Sequence, residues 1–127
     1  MRKSEISKET IKKYKERIES AEILLKVGNY NDSVSRTYYA LFDAITGLLE
    51  LEGHGAKSHR GAIAKFHDMY IKSGKIDKRF SRTVGRMVKM REEADYSFKL
   101  DIKKDEAKKA LADVKELLKT IEKILIA

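Results

Sequence analysis

Not one proline interrupts this chain. A helix tolerates proline only in its first turn, so a chain without any can run helically from end to end wherever its apolar residues recur at spacings of three and four. Punctuation then falls to seven glycines and a few capping side chains. A first helix is expected from Ser7, a good N-cap type, to about Val27, with Ile11, Tyr14, Ile18, Ala21 and Leu24/Leu25 inward and Gly28 as the left-handed closing residue. After Asn31 and Asp32 a second helix runs from about Ser33 to Leu51, with Val34, Tyr38, Leu41, Phe42, Ile45 and Leu49 on one face. Its other side groups Arg36, Ala40, Asp43, Ala44 and Gly47, with Tyr39 on the flank, and small residues at such spacing admit another helix closely. Ser58 caps a third helix that ends at Gly74, with His59, Ile63, Phe66 and Tyr70 on one face. A fourth runs from about Asp77 to Asp95, residues 96–100 form a connector, and a fifth starts at Asp101 or Asp105 and continues to the C-terminus. The expectation is one all-α domain over residues 1–127, an antiparallel up-and-down helical bundle of about five helices around a four-helix core.

Composition narrows the function classes. The absence of cysteine excludes disulfides, thiolate catalysis and cysteine-held zinc or iron–sulfur groups. His54, His59 and His67 show no metal-ligand spacing and Gly53-x-Gly55 lacks the rest of a phosphate loop, so no metal and no cofactor are expected. No run of eighteen apolar residues occurs, and a soluble cytoplasmic protein without a membrane partner is the simplest reading. The formal charge is +8, and residues 72–91 hold eight basic residues against the single acid Asp77. Such concentrated charge suits RNA, a nucleotide or an acidic protein, or else a solvated face.

The fourth helix carries the strongest functional clue. Within about 40° of Phe80 on a helical wheel lie Val84, Met87, Arg91 and Ala94, while Lys75, Arg79, Arg82, Arg86 and Lys89 fall opposite. Arg91 therefore lies in an apolar face. A guanidinium cannot shed its charge, so it needs a carboxylate, a carbonyl or an anionic ligand beside it. Asp95 and Tyr96 follow within a turn, and Arg36 lies on a surface that a neighbouring helix should cover. If Arg36, Arg91, Asp95 and Tyr96 converge, they can hold a phosphate; the alternative is a buried arginine–aspartate network that fixes helix register. Arg36 and Asp43, with Tyr39 between them, also suit an ion pair within the helix or across to another. Tyr39 and His59, the latter on an apolar face where a satisfied packing role is the alternative, complete the candidate nucleotide or RNA contacts with Arg79, Arg82, Arg86 and Lys89.

Three blocks in order, Ser35-Arg36-Thr37-Tyr38-Tyr39-Ala40-Leu41-Phe42, Ser58-His59-Arg60-Gly61 with Phe66, and Arg91-x-x-Ala94-Asp95-Tyr96, resemble the signatures of small prokaryotic HEPN-domain proteins. The resemblance implies a helical bundle that forms homodimers and acts with a nucleotidyltransferase, the HEPN protein as toxin and its partner as antitoxin. It also implies a metal-independent ribonuclease, in which an arginine holds the phosphate and a histidine, separated from it by four to six intervening residues, serves as acid or base. Here Tyr96 occupies that histidine's place, and Arg60 and His67 match the spacing only in the third helix. Two readings follow: a toxin component with RNA or nucleotide contacts, or a non-catalytic nucleotide- or partner-binding helical module.

Overall fold

The structure, a computed structural model, describes residues 2–96 and 101–127, with the backbone alone at Tyr96. Among the described residues five α-helices follow one another: α1 (Lys3–Lys26), α2 (Tyr30–Leu51), α3 (His59–Phe66), α4 (Phe80–Tyr96) and α5 (Lys104–Leu125). The expected all-α bundle is what forms. Its directions can be read from side-chain contacts. Ser7 and Lys15 of α1 meet Leu125 and Glu122 of α5, so these two helices are antiparallel. Arg79 and Arg86 of α4 meet Glu116 and Asp113 of α5, and Ser35 and Tyr39 of α2 meet Asp95 and Arg91 of α4, again in opposite directions.

α2 is the central element and packs against all four others. Leu41, Ile45 and Leu48 from α2, Phe66 from α3, Met87 from α4 and Val114, Leu117 and Ile121 from α5 are fully buried in one continuous core. Burial of each such side chain contributes roughly 1.5–3 kcal/mol, which is what fixes the helices against their chain entropy. The small residues of α2 act as expected: a Cβ at Gly47 would fall on the Thr10 side chain, so α1 and α2 approach to backbone distance there. Lower along the same pair, Ser33 Oγ donates to the Ala21 carbonyl at 2.8 Å.

Several boundaries differ from expectation, each for a local reason. α1 begins at Lys3, and Ser7 is not its cap; buried, it donates to the Leu125 carbonyl at 2.6 Å and ties the first helix to the last. α2 starts at Tyr30, which frees Asn31 to accept from the Ile102 backbone N–H at 3.1 Å and anchor the entry to α5. Ser58 does cap α3, accepting from Gly61 N at 3.0 Å. The third helix widens over His67–Ile71 into a π-helical turn, Lys72 N donating to His67 O at 2.8 Å, and closes near Gly74 at φ 86°. The extra residue in that turn lets Phe66, Tyr70 and Ile71 all point inward. Asp77 precedes α4 in a turn and accepts from Arg79 N rather than opening the helix itself. α5 starts at Lys104, with Glu106 accepting from Lys103 N, and not at Asp101. The rest of the expected 96–100 connector lies outside the described residues.

Candidate functional site

Three elements converge on Tyr38 and Tyr39, adjacent residues of α2. Because they are about 100° apart around the helix, one ring enters the core while the other lies at its edge: Tyr38 is buried and Tyr39 half-buried. From α4, Arg91 reaches both. Its guanidinium carbon stands 5.3 Å from the Tyr38 ring centre and 5.8 Å from that of Tyr39, and Nη2 donates to Tyr39 Oη at 3.1 Å. Its Nε pairs with Asp95 Oδ2 at 3.0 Å, one turn further along α4. The other carboxylate oxygen accepts from Ser35 Oγ at 2.6 Å, which fastens Asp95 to α2. The Arg91 side chain keeps 20 % of its surface exposed, so the cation is held by protein on several sides and still meets solvent.

From α3, His59 meets the other side of the tyrosine pair. Its ring lies almost parallel to that of Phe42, centres 3.8 Å apart, and Nδ1 is 3.1 Å from Tyr38 Oη. It also meets the Tyr39 ring edge-on at 6.2 Å. Burial pushes the Tyr38 hydroxyl above its ordinary pKa, the Arg91 charge opposing the shift, so this phenol is neutral at physiological pH. A neutral phenol can donate to a bare imidazole nitrogen or accept from a protonated one, and so suits His59 in either charge state.

Of the residues expected to converge, Arg91 and Asp95 do, and Tyr39 and His59 join them. Arg36 does not: it is exposed and makes no polar contact with the described residues, because the step from Ser35 to Arg36 turns it away from α4. The Tyr96 side chain lies outside the described residues. Asp43 pairs across the helices, with Arg17 of α1 at 3.0 Å, rather than with Arg36. Arg17 also stands 5.6 Å from the Tyr39 ring centre, so two arginine–aspartate pairs flank one tyrosine. Arg17 is not among the sequence candidates, and Ser35 enters only as the first residue of the Ser35–Phe42 block; the seven-residue step from Thr10 to Arg17 and the four-residue step from Ser35 to Tyr39 put each pair on one helix face.

The basic stripe lies along the edge between α4 and α5 and is partly answered there. Arg79 pairs with Glu116 at 2.9 Å and Arg86 approaches Asp113 at 3.8 Å, while Arg82 and Lys89 are exposed without an ion pair among the described residues. Arg60 and His67 are both exposed and take no part in the cluster. Among the described residues no group of three His, Asp or Glu is placed to hold a metal ion, and no helix is long and apolar enough to cross a membrane.

An all-helical bundle with an arginine set among aromatic rings near the end of its fourth helix defines a class rather than a chemistry. The HEPN domain family matches residues 7–124, and the chain belongs to that family. It is 30 % identical over 111 residues to a UPF0332 protein of Thermotoga maritima, covering 87 % of this chain and 84 % of that one. It is 30 % identical over 117 residues to a Methanocaldococcus jannaschii protein named "Putative toxin MJ0142", covering 92 % of this chain and 80 % of that one. A UPF0332 protein of Archaeoglobus fulgidus is 32 % identical over 103 residues, covering 81 % and 82 % of the two chains.

Proposed function

We propose that this HEPN-family chain is the toxin half of a two-component system, that a nucleotidyltransferase is its antitoxin partner, and that it acts on RNA by gripping a backbone phosphate with Arg91. The observation that carries the reading is the state of Arg91. A guanidinium fixed by Tyr39 and Asp95 over two aromatic rings is preorganised, and preorganised cations stabilise phosphate charge without a cost of reorganisation at the moment of reaction. The name borne by the Methanocaldococcus jannaschii relative supports the toxin assignment. The exposed Arg82 and Lys89 extend positive charge along the same helix, in line with an RNA strand. A homodimer in the cytoplasm is part of the proposal.

The test is cleavage of a mixed-sequence single-stranded RNA by the purified chain in excess chelator. Wild type is expected to cut, Arg91→Ala to lose activity by a factor of about 100 to 1,000, and Arg60→Ala to cut as wild type does. Undiminished cleavage by Arg91→Ala sinks the assignment.

The second reading is a non-catalytic module that binds RNA, a nucleotide or a partner. It is favoured by Asp95, which already answers the Arg91 charge, and by Tyr96 at the position where the resemblance puts a histidine. RNA bound by wild type, weakened in Arg91→Ala and never cut by either, selects it.

A further inference from the structure

α1 packs unequally on its two neighbours. It lies tightly along α2, where Gly47 admits the Thr10 side chain, whereas its seam with α5 is loose. Three recesses of about 440, 410 and 460 Å³ follow one another along that seam. In their lining α1 contributes Ile11, Ile18 and Leu25, and α5 contributes Leu111, Leu118 and Leu125. Each wall thus carries an apolar side chain every seven residues, about 10 Å apart, along about 21 Å of groove. Seven residues return nearly to the same face of a helix, so the six side chains form two rows. The α5 row is buried and the α1 row half-buried.

Two apolar rows at this spacing match the apolar stripe of an α-helix laid between them, whose residues at intervals of three and four meet the two walls in turn. The rims are basic: eight lysines stand against four glutamates. Two of those glutamates, Glu22 and Glu122, pair across the seam with Lys115 and Lys15. Both pairs are exposed, so exchanging them for carboxylates of a guest costs little. Lys26, Lys104 and Lys108, around one end of the groove, have no ion pair among the described residues. The floor also holds an unanswered polar group. Tyr14, between Ile11 and Ile18, is buried, and its hydroxyl has no partner among the described residues. Buried hydroxyls ordinarily have one, and an acceptor carried by an incoming helix would supply it.

We propose that the α1–α5 groove receives an amphipathic helix of about four turns from a partner protein, acidic along the flanks of its apolar stripe. Charge and floor together select this occupant. A second copy of the chain would bring the same lysine-rich rims, which repel. A nucleic acid strand would answer the lysines and leave both apolar rows unmatched. An acidic amphipathic helix answers rim and floor at once. Neither Arg91 nor any step on RNA enters, so the docking site stands or falls apart from the function proposed above.

The full chain is titrated with a fluorescent synthetic peptide of about four helical turns, its leucines repeating every three and four residues between flanking glutamates, and with a scrambled peptide of the same composition. Wild type is expected to bind the first at least about tenfold more tightly than the second. Ile18→Glu sets a charge in the floor and should weaken binding by about thirtyfold or more. Lys108→Glu with Lys119→Glu, both exposed on α5, should weaken it by about fivefold to tenfold and lessen its salt dependence. Lys72→Glu, exposed and outside the groove, should bind within about twofold of wild type. No binding at about 1 mM peptide, equal binding of the two peptides, or an Ile18→Glu variant that binds as wild type does overturns the proposal. Wild-type dimers that fall to monomers in Ile18→Glu give the groove to a second copy, and sedimentation with phosphatidylglycerol vesicles that the same substitution abolishes gives it to a membrane surface; either result overturns the proposal as well. Melting curves show whether Ile18→Glu is folded, and the double lysine variant carries the test if it is not.

Discussion

α2 faces α1 on one side and α3 with α4 on the other, and the two sides put the same chemistry to different use. On each side an arginine pairs with an aspartate at 3.0 Å and lies within 6 Å of the Tyr39 ring. Toward α1 the pair is Arg17 with Asp43, on separate helices and twenty-six residues apart, the carboxylate only 10 % exposed. It staples one helix to another where Gly47 and Thr10 have already brought the backbones together. Toward α4 the pair is Arg91 with Asp95, four residues apart on one helix. An ion pair within one turn adds little to the fold, so its effect is to set the pose of the arginine. A staple and a presented cation can thus look alike in a contact map and differ in what they do.

The close approach on the α1 side should be the costliest feature to disturb. Gly47→Ala places a methyl group on the Thr10 side chain, and over-packing a tight helix crossing costs about 2–3 kcal/mol. In chemical denaturation the loss should shrink in the double variant Gly47→Ala, Thr10→Ala, which gives the methyl group room. A Gly47→Ala variant as stable as wild type would mean that α1 and α2 can separate without harm, and the staple reading of Arg17 would fall with it.

The paired arginines can be separated by their carboxylates. Asp43→Ala leaves Arg17 partly buried without its partner and should cost about 1–2 kcal/mol, between the exposed and fully buried cases. Asp95→Ala removes an intrahelical pair and one bond from Ser35, and should cost about 0.5–1 kcal/mol. The order should reverse for RNA affinity: Asp95→Ala changes it, whereas Asp43→Ala does not. Equal effects of the two variants on both measurements would erase the distinction.

How far the sequence reached follows the same division. The helices were legible because their apolar periods are local, as was the inward placement of Arg91, since Phe80, Val84 and Met87 on its face are indeed buried. The Arg91–Asp95 pair needed only a four-residue interval. Arg17–Asp43 could not be read, because it depends on the register between two helices, and that register is set by contact between Thr10 and Gly47. For the same reason the ion pair expected of Arg36 and Asp43, within the helix or across to another, could be given no partner helix; for Asp43 it forms across to Arg17 of α1. His59 was read as a packing residue on an apolar face or a nucleotide contact, and its bond to Tyr38 depends on how α3 crosses α2. Boundaries slipped where a capping side chain had a stronger partner elsewhere, as Ser7 has in the Leu125 carbonyl.

The smallest expected effect concerns two tyrosines that are equally buried, at 3 % exposure, on opposite sides of this division. Tyr38 Oη bonds His59, whereas Tyr14 Oη on α1 meets no hydrogen-bond partner among the described residues. Burial raises the pKa of both hydroxyls, with Glu122 adding to the shift at Tyr14. A group whose pKa is raised by folding stabilises the protein fully below its unfolded value, about 10 for tyrosine, and that contribution is lost as pH climbs through the folded value. The wild type should therefore weaken progressively above about pH 10. Tyr38→Phe should cost about 1 kcal/mol at pH 7, the worth of one part-buried hydrogen bond. Tyr14→Phe should cost nothing at pH 7, since it removes a buried hydroxyl that has no bond to lose, and should flatten the alkaline decline. Melting curves at pH 7 and at pH 10.5 decide it: a Tyr14→Phe variant less stable than wild type at pH 7 would show that α1 too carries a polar contact of consequence, and the contrast between the two sides of α2 would have to be redrawn.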